Sequence, residues 1–97
     1  MAAYISLLKF TQQGIKDIKN GPSRLDAAKK AYKAVGAEIK AYYLTMGEYD
    51  AVVIGDVPDD VTAARIALVT GALGNVTTQT LRAFTEDEYR KIVASLP

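Results

Sequence analysis

Apolar and polar residues alternate with period two along Ala3 to Phe10, which predicts a first strand. Tyr4, Ser6, Leu8 and Phe10 share one face and Ala3, Ile5, Leu7 and Lys9 the other, both largely apolar. Thr11 is a helix cap for a short run opening with Gln12 and Gln13, which Gly14 weakens. Ile15 and Ile18 share a face of that run, and Asn20-Gly21-Pro22 interrupts it. Leu25, Ala28, Tyr32 and Val35 then fall at helical spacing, which predicts a second helical run over Ser23–Val35 with Gly36 as its C-cap. The two runs read as one kinked helix.

Period-two patterning returns over Ala37–Thr45, with Glu38, Lys40, Tyr42 and Leu44 opposed to Ile39, Ala41, Tyr43 and Thr45. Met46-Gly47-Glu48 predicts a tight turn into a third strand, Tyr49–Val57, whose Ala51-Val52-Val53-Ile54 run reads as central and covered on both faces. Strands joined this closely form a hairpin. Pro58-Asp59-Asp60 predicts the start of a helix over Val61–Leu73, nearly all small or apolar with Arg65 its one charge, and therefore packed on more than one side. Gly71 and Gly74 loosen and end it. A fourth strand follows over Val76–Phe84. Thr85 with Glu88 then forms a capping box for a final helix whose apolar side is Tyr89, Ile92, Val93 and Leu96.

The order is β-α-β-β-α-β plus a terminal helix, an α+β fold of ferredoxin-like type in one domain, residues 1–97. Its helices cover one sheet face. Strands apolar on both sides require a cover for the other, and the terminal helix with a second sheet packed face to face would supply it. This predicts a homo-oligomer, a dimer or a multiple of dimers.

Composition then removes chemistries. The chain of 97 residues contains no Cys and no His, which excludes disulfides, thiolate nucleophiles, Cys/His zinc sites, His- or Cys-ligated haem and imidazole acid–base work. No loop has the ligand spacing of a Ca²⁺ or Mg²⁺ site, so no metal and no cofactor is expected. No apolar run approaches a membrane span and no secretory signal opens the chain; a cytoplasmic protein is expected. Charge is uneven. Residues 1–40 hold eight basic and three acidic side chains, a balance of +5, while residues 41–97 hold four and eight, a balance of −4. A solvated lysine-rich helix face is the plainer reading of the first, with anion binding or subunit steering as the alternatives.

Several blocks then coincide with a known pattern: Tyr43-Leu-Thr-Met-Gly-Glu-Tyr-Asp-Ala-Val-Val-Ile54, the opening Tyr4-Ile-Ser-Leu-Leu, Thr11-Gln-Gln-Gly-Ile15, Ala72-Leu-Gly-Asn-Val76, and Thr80-Leu-Arg-Ala-Phe-Thr-Glu-Asp-Glu-Tyr89. In their order along the chain, and over nearly its whole length, they resemble the GYD-domain family of small bacterial and archaeal proteins. Glu48 stands between Gly47 and Tyr49 of the signature, as in many members. The resemblance implies the dimeric α+β barrel arrangement, two ferredoxin-like subunits packed sheet to sheet. That superfamily includes cofactor-free monooxygenases, haem-dependent enzymes, lactone isomerases and amino-acid-sensing domains, and kinship of fold does not choose among them. The haem branch lacks its axial histidine here.

The candidate residues for chemistry are Asp50, Arg82 and Tyr49. A carboxylate at Asp50, beside Val52 and Ile54, needs donors or a raised pKa; it could take a proton, or accept backbone N–H groups at the turn. A mid-strand Arg82 needs a carboxylate, from Asp50, another subunit or an anionic ligand. Tyr4, Tyr42 and Tyr43, with Arg82, are the candidate ligand-binding set, although phenols are equally core and interface residues. Tyr32 and Tyr89 read as packing. Gly74 and Asn75 read as a cap and turn, since a helix C-terminus is the wrong pole for phosphate. Nucleic-acid binding is not expected, because the central strand is apolar where an RNA-recognition sheet displays aromatics. Three functions remain: a small-molecule-binding or regulatory homo-oligomer, a cofactor-free monooxygenase- or isomerase-type enzyme on a small aromatic or carbonyl compound, and a structural assembly protein. Whether the chain is an enzyme stays open. The enzyme reading requires a cavity in which Asp50 or Arg82 lacks a protein partner.

Overall fold

The computed structural model describes residues 1–97, running β1 (Ala2–Phe10), α1 (Gln12–Lys16), a 3₁₀ turn (Ile18–Asn20), α2 (Gly21–Ala34), β2 (Glu38–Leu44), β3 (Ala51–Val57), α3 (Asp60–Ala72), β4 (Val76–Ala83) and α4 (Glu86–Ala94). The sheet order is β2-β3-β1-β4 with every pair antiparallel, the ferredoxin-like arrangement. Register sets the two faces. Tyr4 lies opposite Gly55 and Arg82, Ser6 opposite Val53 and Thr80, and Leu8 opposite Ala51 and Thr78, all towards the helices. Ile5 pairs with Ile54 and Leu81, and Leu7 with Val52 and Gln79, on the face that no helix covers.

The core lies on the helix side in two parts. Tyr4, Ala37, Val57 and Ala63 pack with Tyr32 and Ile66. Leu8, Ala51 and Val53 pack with Ile39, Tyr42 and Val76. A bulge in β2 between Ile39 and Ala41 makes the second part possible, because it puts Ile39 and Tyr42 on the same side where strict alternation would separate them. Capping follows the sequence closely. The Thr11 hydroxyl accepts the Gly14 N–H, Asp59 accepts the Thr62 N–H, and Thr85 with Glu88 forms the reciprocal box. Gly36 and Gly47 take the positive φ that their turns demand, +75° and +128°.

Several expectations are corrected. The second helical run starts at Gly21, two residues ahead of Ser23, with Pro22 in its first turn as its suitability for a first helical position implies. Tyr49 and Asp50 do not begin the third strand, because the Asp50 carboxylate turns to the Phe10 N–H and the ladder starts at Ala51. The helix α3 is not packed on several sides; it buries only Ala63 and leaves Val61, Leu68, Val69 and Leu73 60–75% exposed. The helix α4 does not shield the open sheet face, and Tyr89 is 62% exposed instead of packed. Both helices carry exposed apolar residues.

The surface area measures that surplus. The chain exposes 6776 Å², against about 5,400 Å² for a compact monomer of its 10.5 kDa. Its radius of gyration is 14.6 Å, where a compact chain of this length has about 12.5 Å.

Candidate functional site

Three of the chemically capable residues are held at the ends of the sheet. Asp50 sits in the β2–β3 turn, where its Oδ2 accepts the Phe10 N–H at 2.8 Å, its own N–H donates to the Leu8 carbonyl at 2.8 Å, and its carbonyl accepts the Thr45 N–H at 2.9 Å. The Thr45 hydroxyl in turn donates to the Tyr49 carbonyl at 2.6 Å. This arrangement latches the hairpin turn onto the end of β1. Removing the carboxylate leaves a half-buried backbone donor without its partner, so Asp50→Ala should cost about 1–3 kcal/mol of stability in urea unfolding. A change under 0.5 kcal/mol would refute the latch.

Tyr49 reaches across the open face. Its hydroxyl donates to Gln79 Oε1 at 2.5 Å, and Lys9 Nζ lies 5.2 Å from its ring centre. With Leu7, Thr77 and Thr78 these residues line an open groove of about 200 Å³. A larger but more open depression of about 570 Å³ is lined only by Gln12, Gln13, Lys16 and Asp17. Neither resembles the apolar, enclosing pocket that holds most small ligands.

Arg82 projects on the helix side at the opposite end. It donates to the carbonyls of Ala3, at 3.4 Å, and Ala83, and lies 4.0 Å from the Glu88 carboxylate. Its guanidinium is 4.4 Å from the Phe84 ring and 5.7 Å from that of Tyr4. The Tyr4 hydroxyl donates to Asp60. Arg82 therefore finds its carboxylate in Glu88, six residues ahead around a turn, a partner that the strand pattern alone does not place beside it. Asp50 lies at the other end of the sheet.

The candidate tyrosines are not gathered. Tyr4 and Tyr42 lie on the helix-covered face, while Tyr43, 59% exposed, and Tyr49 lie on the open face. Only Tyr4 and Arg82 of the ligand-binding set meet. Asp50 and Arg82 both have partners within the chain. No group of three or more carboxylates converges as a metal site would require.

Local electrostatics follow the caps. Hydrogen bonds from Thr62 hold the Asp59 carboxyl below its ordinary pKa, and the Thr85 N–H does the same for Glu88. The hydrogen bond to Asp60 raises the Tyr4 pKa, with burial adding to it, and burial raises that of Tyr32. A phenol whose pKa is raised on folding contributes stability that is complete below the unfolded value near 10 and is lost as pH rises through the folded value. Two of the six tyrosines should therefore ionise late in an ultraviolet titration, and Tyr4→Phe should remove one of them. An unchanged late phase in that variant would overturn the assignment.

The model of the GYD domain matches residues 4–93. The chain belongs to the GYD-domain family. Within curated proteins it is similar to the glutamine synthetase and cystathionine beta-lyase binding protein of Thermus thermophilus, with 30% identity over 84 residues, covering 86% of this chain and 88% of that protein. No solved structure matches the chain. The GYD signature itself, Gly47 with Tyr49 and Asp50, now has a physical reading: a positive-φ turn, a ring laid on the open face and a carboxylate latch onto β1. No helix of this GYD protein is long and apolar enough to cross a membrane.

Proposed function

We propose that this GYD protein is a non-catalytic regulatory binding protein that works as a cytoplasmic homo-oligomer, a dimer or a multiple of dimers built from one 97-residue domain through the open sheet face. The observation that carries the reading is surface area. The protomer exposes roughly 1,300 Å² more than a compact monomer of its size, and a standard interface covers about 800 Å² on each partner. The open face has the matching anatomy. Ile5, Leu7, Val52 and Ile54 form an apolar centre, with Lys9, Tyr49 and Gln79 as a polar rim at one end and Glu38, Lys40 and Asp56 at the other.

The binding half of the reading rests on two supports. One is the relative named as a binding protein for two enzymes. The other is the shape of the grooves, which favours a macromolecular surface over a small ligand as the target. Glutamine synthetase and cystathionine β-lyase are accordingly the first partners to test. Native mass spectrometry of the purified protein should give an even-numbered oligomer. Added purified glutamine synthetase or cystathionine β-lyase should then co-elute with it on size exclusion. A monomer at micromolar concentration refutes the assembly, and an oligomer that binds neither enzyme refutes the choice of partners.

A further inference from the structure

Three apolar surfaces of this chain lack a cover, the open sheet face, the outer side of α3 and one side of α4. On α4, Tyr89, Ile92 and Val93 lie within a single helical stripe, as i, i+3 and i+4, with Leu96 just past the helix end, and all four are 44–62% exposed. The helix makes no broad contact with any other element, and its one polar tie to the sheet is the ion pair of Glu88 with Arg82. One flank of the stripe is charged, with Glu86 and Arg90 paired at 2.7 Å, and Asp87 and Lys91 fall opposite it. A stripe this regular, on a helix with a complete capping box, is built to be covered.

The chain cannot easily cover it by itself. Only Phe84 and Thr85 join β4 to α4, and both are fixed. The Phe84 ring lies against the Arg82 guanidinium, Thr85 is the N-cap, and Glu88 of the box also faces Arg82. Swinging α4 onto its own open face would break the Glu88–Arg82 ion pair and disturb the packing of Phe84 on Arg82, although the cap itself would travel with the helix. A neighbouring chain meets no such obstacle. A second copy packed against the open face brings its own sheet margin alongside the projecting helix, and the two-fold of such a pair repeats the contact.

We propose that α4 docks in trans, its Tyr89–Ile92–Val93 stripe covering the margin of the open sheet face of a second copy, so that the two protomers exchange terminal helices. This rests on the self-association argued under the proposed function and goes beyond it by assigning the helix to the partner. The occupant is a second copy because the same chain supplies both surfaces. The uncovered area, roughly 1,300 Å² in excess of a compact monomer, also exceeds the share of a standard interface and leaves room for a helix beside the sheet contact.

The absence of cysteine makes the test clean. Chains carrying Ile92→Cys are co-expressed with differently tagged chains carrying Leu81→Cys or Tyr43→Cys, the exposed apolar residues at the two edges of the open face. Mild oxidation should give a disulfide-linked heterodimer of one of these pairs on a non-reducing gel. In parallel, Ile92→Glu should weaken dimerisation at least tenfold while leaving the far-ultraviolet spectrum of the sheet unchanged. A dimeric wild type that forms neither cross-link overturns the helix exchange and leaves the sheet contact standing. A cross-link within single chains of the double variant places α4 in cis and overturns it as well. A monomeric wild type removes the reading beneath both.

Discussion

Leu7→Glu should convert the protein to a monomer while leaving its fold intact, and the neighbouring substitution Leu8→Glu should unfold it. The two leucines differ by one step along β1 and therefore point to opposite faces. Leu8 is 9% exposed, in the core with Ala51 and Val53 beneath the helices. Leu7 faces the other way, beside Val52 and Gln79. In a lone protomer a glutamate at position 7 reaches water and costs little. Pressed against a second sheet it becomes an unpaired carboxylate in an apolar centre, with a penalty of several kcal/mol. At 1.4 kcal/mol for each tenfold change, that weakens dimerisation more than a hundredfold. Light scattering on size exclusion and circular dichroism read the two effects separately. Retention of the wild-type mass by Leu7→Glu at micromolar concentration would remove the open face from the assembly.

The same pair shows how much the sequence reveals. Alternation assigns Leu7 and Leu8 to opposite faces without any coordinates, and the order of the elements points to the ferredoxin-like arrangement that the strand pairing shows. Caps are equally legible, because Thr11, Asp59 and the Thr85–Glu88 box act over three residues. The differences at α3 and α4 have one physical origin. An apolar position records that a side chain gains from being covered and does not record by what. Helix α3 reads as packed on several sides from Val61, Leu68, Val69 and Leu73, and α4 reads as packed from Tyr89, yet one protomer leaves them open. The surplus of apolar residues in these helices and the surplus of exposed area are the same fact seen at two levels.

Site residues were harder to place, because their partners come from contacts distant in the chain. Asp50 reads as a turn carboxylate in search of donors, but Phe10, 40 residues earlier, supplies one of them. Arg82 reads as needing a carboxylate, but the sequence offers no reason to prefer Glu88, which capping already explains. Gln79 shows no pattern at all, and only the strand register brings it under Tyr49. The β2 bulge is similarly silent, and it decides that Tyr42 belongs to the core while Tyr43 faces out.

Gly14→Ala should destabilise the protein by roughly 2 kcal/mol or more, although helix propensity alone predicts a gain of about 1 kcal/mol. By propensity Gly14 is a flaw in the first turn of α1. In three dimensions it is where the turn touches the rest of the fold. The Thr11 N–H donates to the Asn75 carbonyl at 3.0 Å and the Thr11 hydroxyl to the Gly74 carbonyl at 2.6 Å, which presses α1 against the loop before β4. Gly14 is buried there, and a methyl group would stand 2.0 Å from the Asn75 oxygen. That neighbour is backbone and cannot swing aside, so either both hydrogen bonds lengthen or the loop moves. Gly21→Ala is the control. It starts α2 with an ordinary helical φ of −53°, and its nearest neighbours would be 3.8 Å and 4.0 Å away. Reduced freedom of the unfolded chain should leave that variant unchanged or up to about 1 kcal/mol more stable. Urea unfolding of the two variants separates close approach from propensity. If both shift the same way, the contact between α1 and Asn75 does not hold the glycine in place, and propensity governs this turn after all.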